Sequence, residues 1–140
     1  KGTFQTVIGE TDDLDAKKVK RVLLCSGKIY YDLAGSSLRE AATETAIGRV
    51  ELLYPFPQQS ILALFERYPN LKEVVWVQEE PRNMGAWHFV EHYLEWVLTQ
   101  IGAKNTRPRY ATRPASASTA VGQMSKHLAQ LKQLLDEALG

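Results

Sequence analysis

The sequence predicts an α/β domain whose sheet is mostly parallel and covered on both faces by helices. Three observations predict it. Short runs such as Arg21–Cys25 and Glu73–Gln78 are apolar with little alternation, the pattern of strands buried on both sides. Between such runs, apolar residues recur at three- and four-residue spacing, as Ile61, Leu64, Phe65 and Tyr68 do. The connections are short, so strands and helices alternate along the chain.

Taken in order, Phe4–Ile8 alternates weakly and reads as an edge strand. Glu10–Asp15 is acidic, and Lys17, Lys18, Lys20 and Arg21 are basic; together they read as a solvated connector. Arg21–Cys25 is the first core strand, followed by a Ser26-Gly27-Lys28 turn and a helix over Ile29–Ala42 with apolar Ile29, Leu33 and Leu38. The next strand is Ala46–Leu53, ended by Tyr54-Pro55-Phe56-Pro57. Pro57 suits the start of a helix over Gln58–Tyr68, which Pro69-Asn70 stops. The strand Glu73–Gln78 runs into Pro81, which cannot donate to a ladder, and Asn83 and Gly85 supply turn chemistry. A helix over Ala86–Ile101 is closed by Gly102. Arg109–Arg113 is a last short strand, and after a Pro-Ala-Ser-Ala-Ser loop a final helix lines one face with Leu128, Leu131, Leu135 and Ala138.

At 140 residues and 44% hydrophobic, the chain can bury the core of one domain. A formal net charge of +1 pushes toward neither nucleic acid nor membrane. Cys25 lies inside an apolar run and reads as a buried structural thiol of a reducing compartment, since a reactive thiolate wants exposure and a nearby base. No apolar stretch approaches the ~20 residues that span a bilayer, and the N-terminus lacks a signal-peptide pattern. The opening lacks a methionine and begins in strand-like residues, the expectation for a piece of a longer intracellular polypeptide.

Several groups invite a chemical reading, each beside a plainer one. Ser26-Gly27-Lys28 marks a strand-to-helix turn where backbone amides could hold an anion, but the glycines and the Lys-Ser/Thr pair of a phosphate loop are absent, and a plain turn with a solvated Lys28 fits better. Glu79 and Glu80 follow a buried strand, yet neighbouring strand residues point to opposite faces and seldom converge on one reacting atom. His88, Glu91, His92 and Glu95 share a helical stripe, but the HExxH order is missing and the stripe is the helix's polar face. Trp87, Phe89, Val90, Tyr93, Leu94, Trp96 and Val97 make an apolar face too wide for one sheet contact, so this helix either lies deep in the domain or meets another chain. From Trp96 through Leu135 there is no acidic residue, whereas Lys104, Arg107, Arg109, Arg113, Lys126 and Lys132 are basic. A phosphorylated effector or an acidic partner surface would account for them, and so would a solvated loop. Single-stranded nucleic acid would want interleaved aromatics, and only Tyr110 qualifies.

Four stretches in order resemble one family: Leu23–Tyr31 (LLCSGKIYY), Arg49–Pro57 (RVELLYPFP), Trp76–Trp87 (WVQEEPRNMGAW) and Tyr110–Ser118 (YATRPASAS), followed by Val121-Gly122 and Met124-Ser125. They are similar to the C-terminal domain of the thiamine-diphosphate-dependent decarboxylating subunit of 2-oxoglutarate dehydrogenase, within the wider transketolase C-terminal group. The resemblance runs from about Gly2 to Gly140, and it implies a three-layer α/β/α fold with a five-stranded mixed sheet whose first strand is antiparallel. Residues 1–18 then read as an edge strand and connector from a preceding domain, and 19–140 as the domain itself.

The resemblance also implies function. The parent enzyme would carry out oxidative decarboxylation of 2-oxoglutarate in the tricarboxylic acid cycle with thiamine diphosphate and Mg²⁺. The cofactor and catalytic residues would belong to the preceding domains, leaving this fragment with no catalytic, cofactor-binding or metal residues of its own. Its expected work is packing on those domains, homodimer assembly and contact with other components of the complex. Its expected location is the bacterial cytoplasm or the mitochondrial matrix. The loop after Gln78 would be a rigid contact edge, with polar contacts from Glu79 and Glu80, a turn at Asn83, close backbone approach at Gly85 and an anchor in Trp87. Some relatives bind an acyl-CoA effector; Lys28, Arg107, Arg109 and Arg113 are the candidate anion or interface contacts. Arg113 is foremost, although this chain has ATRPASAS where actinobacterial members carry a second arginine beside the first. The competing reading is a free-standing nucleotide- or phosphate-binding module or small enzyme built on Lys28 and the Glu79/Glu80 pair.

Overall fold

The computed structural model describes residues 7–9, 14–36, 39, 42–51, 53, 56–81, 86–104, 106–113 and 124–139, with the backbone alone at 8, 81, 113 and 124–129. Its strands are β1 (Val7–Ile8), β2 (Arg21–Cys25), β3 (Thr45–Val50), β4 (Glu73–Pro81) and β5 (Arg109–Arg113). Its helices are α1 (Ile29–Ala34), α2 (Gln58–Glu66), α3 (Trp87–Gln100) and α4 (Met124–Leu139). The sheet has five strands in the order β1-β3-β2-β4-β5. The four strands from β3 to β5 are parallel, and β1 joins β3 antiparallel through Val7↔Val50 and Ile8↔Arg49. The sheet is mostly parallel, as the residue pattern predicts, and its antiparallel first strand is the one the family resemblance implies.

The pleat divides the core into two halves. In β2, Val22 and Leu24 join one apolar cluster while Leu23 and Cys25 join another; in β4, Val74 and Trp76 part from Val75 and Val77 in the same way. The first cluster continues into Ile61, Leu64 and Phe65 of α2 and Val90, Leu94 and Val97 of α3. The second continues into Ile29 and Leu33 of α1 and Leu134 and Ala138 of α4. With both faces of β2 and β4 covered, every position from Val22 to Cys25 and from Val74 to Val77 is buried. That is why these runs show no alternation in the sequence.

Several element ends differ from expectation. The first helix ends at Ala34, where the Gly35 amide turns back to the Tyr31 and Leu33 carbonyls. Beyond it the buried Arg39 donates through Nη1 to the carbonyls of Ala42 and Thr45, both at 3.0 Å, while the predicted apolar Leu38 lies outside the described residues. The third strand stops at Val50 rather than Leu53; Glu51 is exposed, and Leu53 packs on the α2/α3 cluster. Helix α2 ends at Glu66, two residues short of Tyr68, which is nonetheless buried. In α4 the buried residues are Leu134, Ala138 and Leu139, with Leu131 and Leu135 packed beside them; the side chain of Leu128 lies outside the described residues. Gly102 ends α3 with φ +73°, the left-handed cap its position predicts.

Helix α1 follows β2 on one face of the sheet, and α3 follows β4 on the other. The neighbouring strands β2 and β4 therefore send their helices to opposite faces, and the carboxyl ends of such strands are the usual location of contacts in open α/β sheets. The amino ends are closed differently. Glu73 accepts from Arg21 Nε and from Arg109 Nη1, each at 2.7 Å, and Arg21 Nη1 donates to the Ala138 carbonyl at 3.0 Å. One carboxylate thus ties β2, β4 and β5 together, and Arg21 adds the end of α4.

Candidate functional site

The β4–α3 junction carries the most organised polar group at the carboxyl end. Pairing between β4 and β5 is regular to Val77↔Ala111 and resumes at Pro81↔Arg113, so β4 spends four residues where β5 spends two. Gln78, Glu79 and Glu80 lie in that bulge, which carries β4 on to Pro81, three residues beyond the expected end at Gln78. The bulge also breaks the strict alternation on which an opposite-face reading of Glu79 and Glu80 depends. Glu79 is half-buried and Glu80 is exposed.

Gln78 is only 4% exposed, and both ends of its amide are engaged. Oε1 accepts from Trp76 Nε1 at 2.9 Å and from the Trp87 backbone amide at 3.1 Å, while Nε2 donates to the Glu80 carbonyl at 3.2 Å. The first amide of α3 is one that no helical carbonyl can reach, and Gln78 supplies its acceptor from nine residues upstream. Trp87 is 5% exposed and its ring lies 5.1 Å from that of Tyr110 on β5. Trp87 is thus seated against β5 at the start of α3. Asn83 and Gly85 lie outside the described residues.

Around the end of β2 and β3 a second cluster forms. Arg49 Nη1 donates to the Tyr31 hydroxyl at 3.0 Å, Nε stands 2.7 Å from Glu51 Oε2, and the guanidinium lies 4.8 Å from the Tyr30 ring centre. The hydrogen bond to Tyr31, more than anything else, raises the Arg49 pKa further above its ordinary value. Beneath it, burial pushes the Cys25 thiol up to about 12, with Glu51 adding to the rise and Arg49 opposing it. Such a thiol is not a nucleophile at neutral pH. Lys28 is exposed in a turn whose Gly27 has φ +82°, and the helix that follows has six residues. The turn is conformationally explained without a ligand.

The basic candidates do not converge. Lys28 lies at the carboxyl end of β2, and Arg113 pairs its backbone with Pro81 at the carboxyl end of β5, its side chain outside the described residues. Arg109 lies toward the opposite end of β5, bound to Glu73, and Arg107 precedes it, 3.8 Å from Glu95. Glu73 and Glu95 face two of the four candidate contacts, Arg109 and Arg107.

The wide apolar face of α3 is largely met within the domain. Val90, Leu94 and Val97 are buried, and Phe56, from the turn before α2, stacks on Tyr93 at 4.8 Å and meets Phe89 edge-on at 6.1 Å. His88 and His92 are exposed, and His92 leans on Tyr93 at 4.1 Å. Among the described residues no three His, Cys, Asp or Glu side chains gather as a metal site, and no helix is long and apolar enough to cross a membrane.

Comparison with known proteins now decides the family. The family described as 2-oxoglutarate dehydrogenase C-terminal matches residues 1–139. The chain belongs to that family. It is 49% identical over 138 residues to the 2-oxoglutarate dehydrogenase E1 component of Cupriavidus necator, a match covering 99% of this chain and 14% of that protein. It is 54% identical over 123 residues to the corresponding component of Brucella anthropi, covering 88% of this chain and 12% of that protein. The chain therefore spans about one seventh of the length of these relatives. The resemblance carried by the four motifs is borne out, and no finding favours a free-standing phosphate-binding module.

Sequence reasoning missed Gln78, Arg49 and the Arg21–Glu73–Arg109 clamp. A signal for Gln78 was present: it shares strand parity with Val74 and Trp76, so it belongs to a buried row. Arg49 and Glu73 carry no such local mark, because their partners are distant in sequence.

Proposed function

We propose that this chain is the non-catalytic C-terminal domain of a thiamine-diphosphate-dependent 2-oxoglutarate dehydrogenase subunit, and that it serves packing on the rest of the subunit, homodimer assembly and thereby the multienzyme complex. The observation that carries this reading is the match over residues 1–139 to a C-terminal family, in a chain covering 14% of a relative named as the E1 component. The side-chain chemistry supports it. The carboxyl end of the sheet holds a thiol silenced by burial and a glutamine whose amide serves the structure. In this reading thiamine diphosphate and its Mg²⁺ are held by the rest of the subunit, and this chain contributes packing. The location that goes with this role is the bacterial cytoplasm, or the mitochondrial matrix in a eukaryote.

In this reading Glu79, Glu80, Asn83, Gly85 and Trp87 form the contact loop. Gln78 fixes where that loop leaves the strand and where its helix begins. An acyl-CoA effector would meet Arg113, and Arg113→Ala in the full-length enzyme would then weaken activation by the effector; unchanged activation would remove that arginine from the site. The main reading is tested by deleting this domain from the full-length subunit. Loss of the dimer in light scattering is the expected result, and a dimeric, fully active truncation would refute it.

A further inference from the structure

We infer that the Tyr31–Arg49 pair is an aromatic anchor through which the domain docks onto the preceding part of its own subunit. The inference rests on the function proposed above and adds a specific contact to it. Among the described residues Tyr31 is the most exposed large hydrophobic side chain, at 64%. Tyr110, the other exposed one, already has Trp87 as a seat. Tyr31 instead projects from a helix of six residues at the carboxyl end of the sheet, beside the ends of β2 and β3.

The pair is built before any partner arrives. The Tyr31 hydroxyl accepts from Arg49 Nη1, its ring meets the Tyr30 ring edge-on at 5.3 Å, and the guanidinium lies 4.8 and 5.6 Å from the two ring centres. Tyrosine and arginine are the residue types that dominate interface energetics, and a side chain already held in place loses little entropy on docking. The charge is matched as well. Glu51 stands 2.7 Å from Arg49, so covering the pair strands no bare cation. The occupant follows from length: the chain covers 14% and 12% of its relatives, and its family is the C-terminal one, so a much longer stretch of the same polypeptide is available to cover this end.

The test uses the full-length subunit with the photoreactive p-benzoylphenylalanine in place of Tyr31, and separately in place of Lys28, in the adjoining exposed turn, should the first variant misfold. The same group in place of Glu79 reports on the contact loop, and in place of Lys104, at the opposite end of the domain, serves as control. The expected result is a cross-link from position 31 or 28 to a peptide of the same chain upstream of this domain, with none from position 104. Cross-linking from 79 alone overturns the Tyr31–Arg49 anchor and leaves the proposed function standing. Cross-linking from 31 to a second subunit or another protein overturns the choice of occupant. No upstream cross-link from 31, 28 or 79 overturns both.

Discussion

The Gln78 side-chain carbonyl accepts the backbone amide of Trp87 at 3.1 Å, so a residue in the strand bulge starts the helix on the far side of the loop. The same oxygen takes the Trp76 indole N–H at 2.9 Å. Replacing Gln78 with leucine would leave two buried donors without that acceptor, at roughly 1–3 kcal/mol for each such group. The Gln78→Leu protein should lose about 2–4 kcal/mol of unfolding free energy in urea titrations followed by tryptophan fluorescence. A loss within about 0.5 kcal/mol would mean that the junction is held by something else.

The clamp at the other end of the sheet predicts a pH dependence. Burial pushes the Glu73 carboxyl up, but the hydrogen bonds from Arg109 and Arg21 and their charges outweigh it, and the net effect is a pKa below the ordinary 4.5. A carboxylate whose pKa is lowered by folding stabilises the native state above the unfolded value, and that stability is lost as pH falls through the folded value. With the groups partly solvated, the contribution is about 1–2 kcal/mol. Acid titration of Glu73→Gln should show less loss of stability below about pH 4.5 than the parent protein, and the variant should be less stable at pH 7. Parallel curves would count against the clamp.

Cys25 should resist thiol reagents. Its pKa near 12 and its burial leave almost no accessible thiolate at pH 8. Labelling by a disulfide reagent should be slow in the native protein and complete in denaturant. Rapid native labelling would show that the end of β2 opens to solvent.

Phe56 fills the margin of the α3 face by stacking on Tyr93. Phe56→Ala should cost roughly 3–5 kcal/mol and weaken the near-ultraviolet circular dichroism of the aromatic cluster. A loss under about 1 kcal/mol would show that the α3 face does not depend on it.

These residues also show what the sequence made legible. Val22–Cys25 and Val74–Val77 announce doubly buried strands because the apolar run is local, and Gly102 announces a helix end because few other residues take φ +73°. The bulge at Gln78–Glu80 is not local. It arises from the register between β4 and β5, whose pairing joins positions more than thirty residues apart, so the strand seemed to stop at Gln78. Arg109 looked like a cation awaiting an anion, and only the fold brings Glu73 to it. The family, in turn, was legible because four motifs in order are far more specific than any one of them.

In the proposed role this domain supports a thiamine-diphosphate enzyme without holding its cofactor. Calorimetric titration of thiamine diphosphate with Mg²⁺, into this chain and into the full-length subunit, separates the two possibilities. The expected result is saturable heat for the subunit and only dilution heat for the chain. Saturable binding to the chain alone would overturn the proposed role.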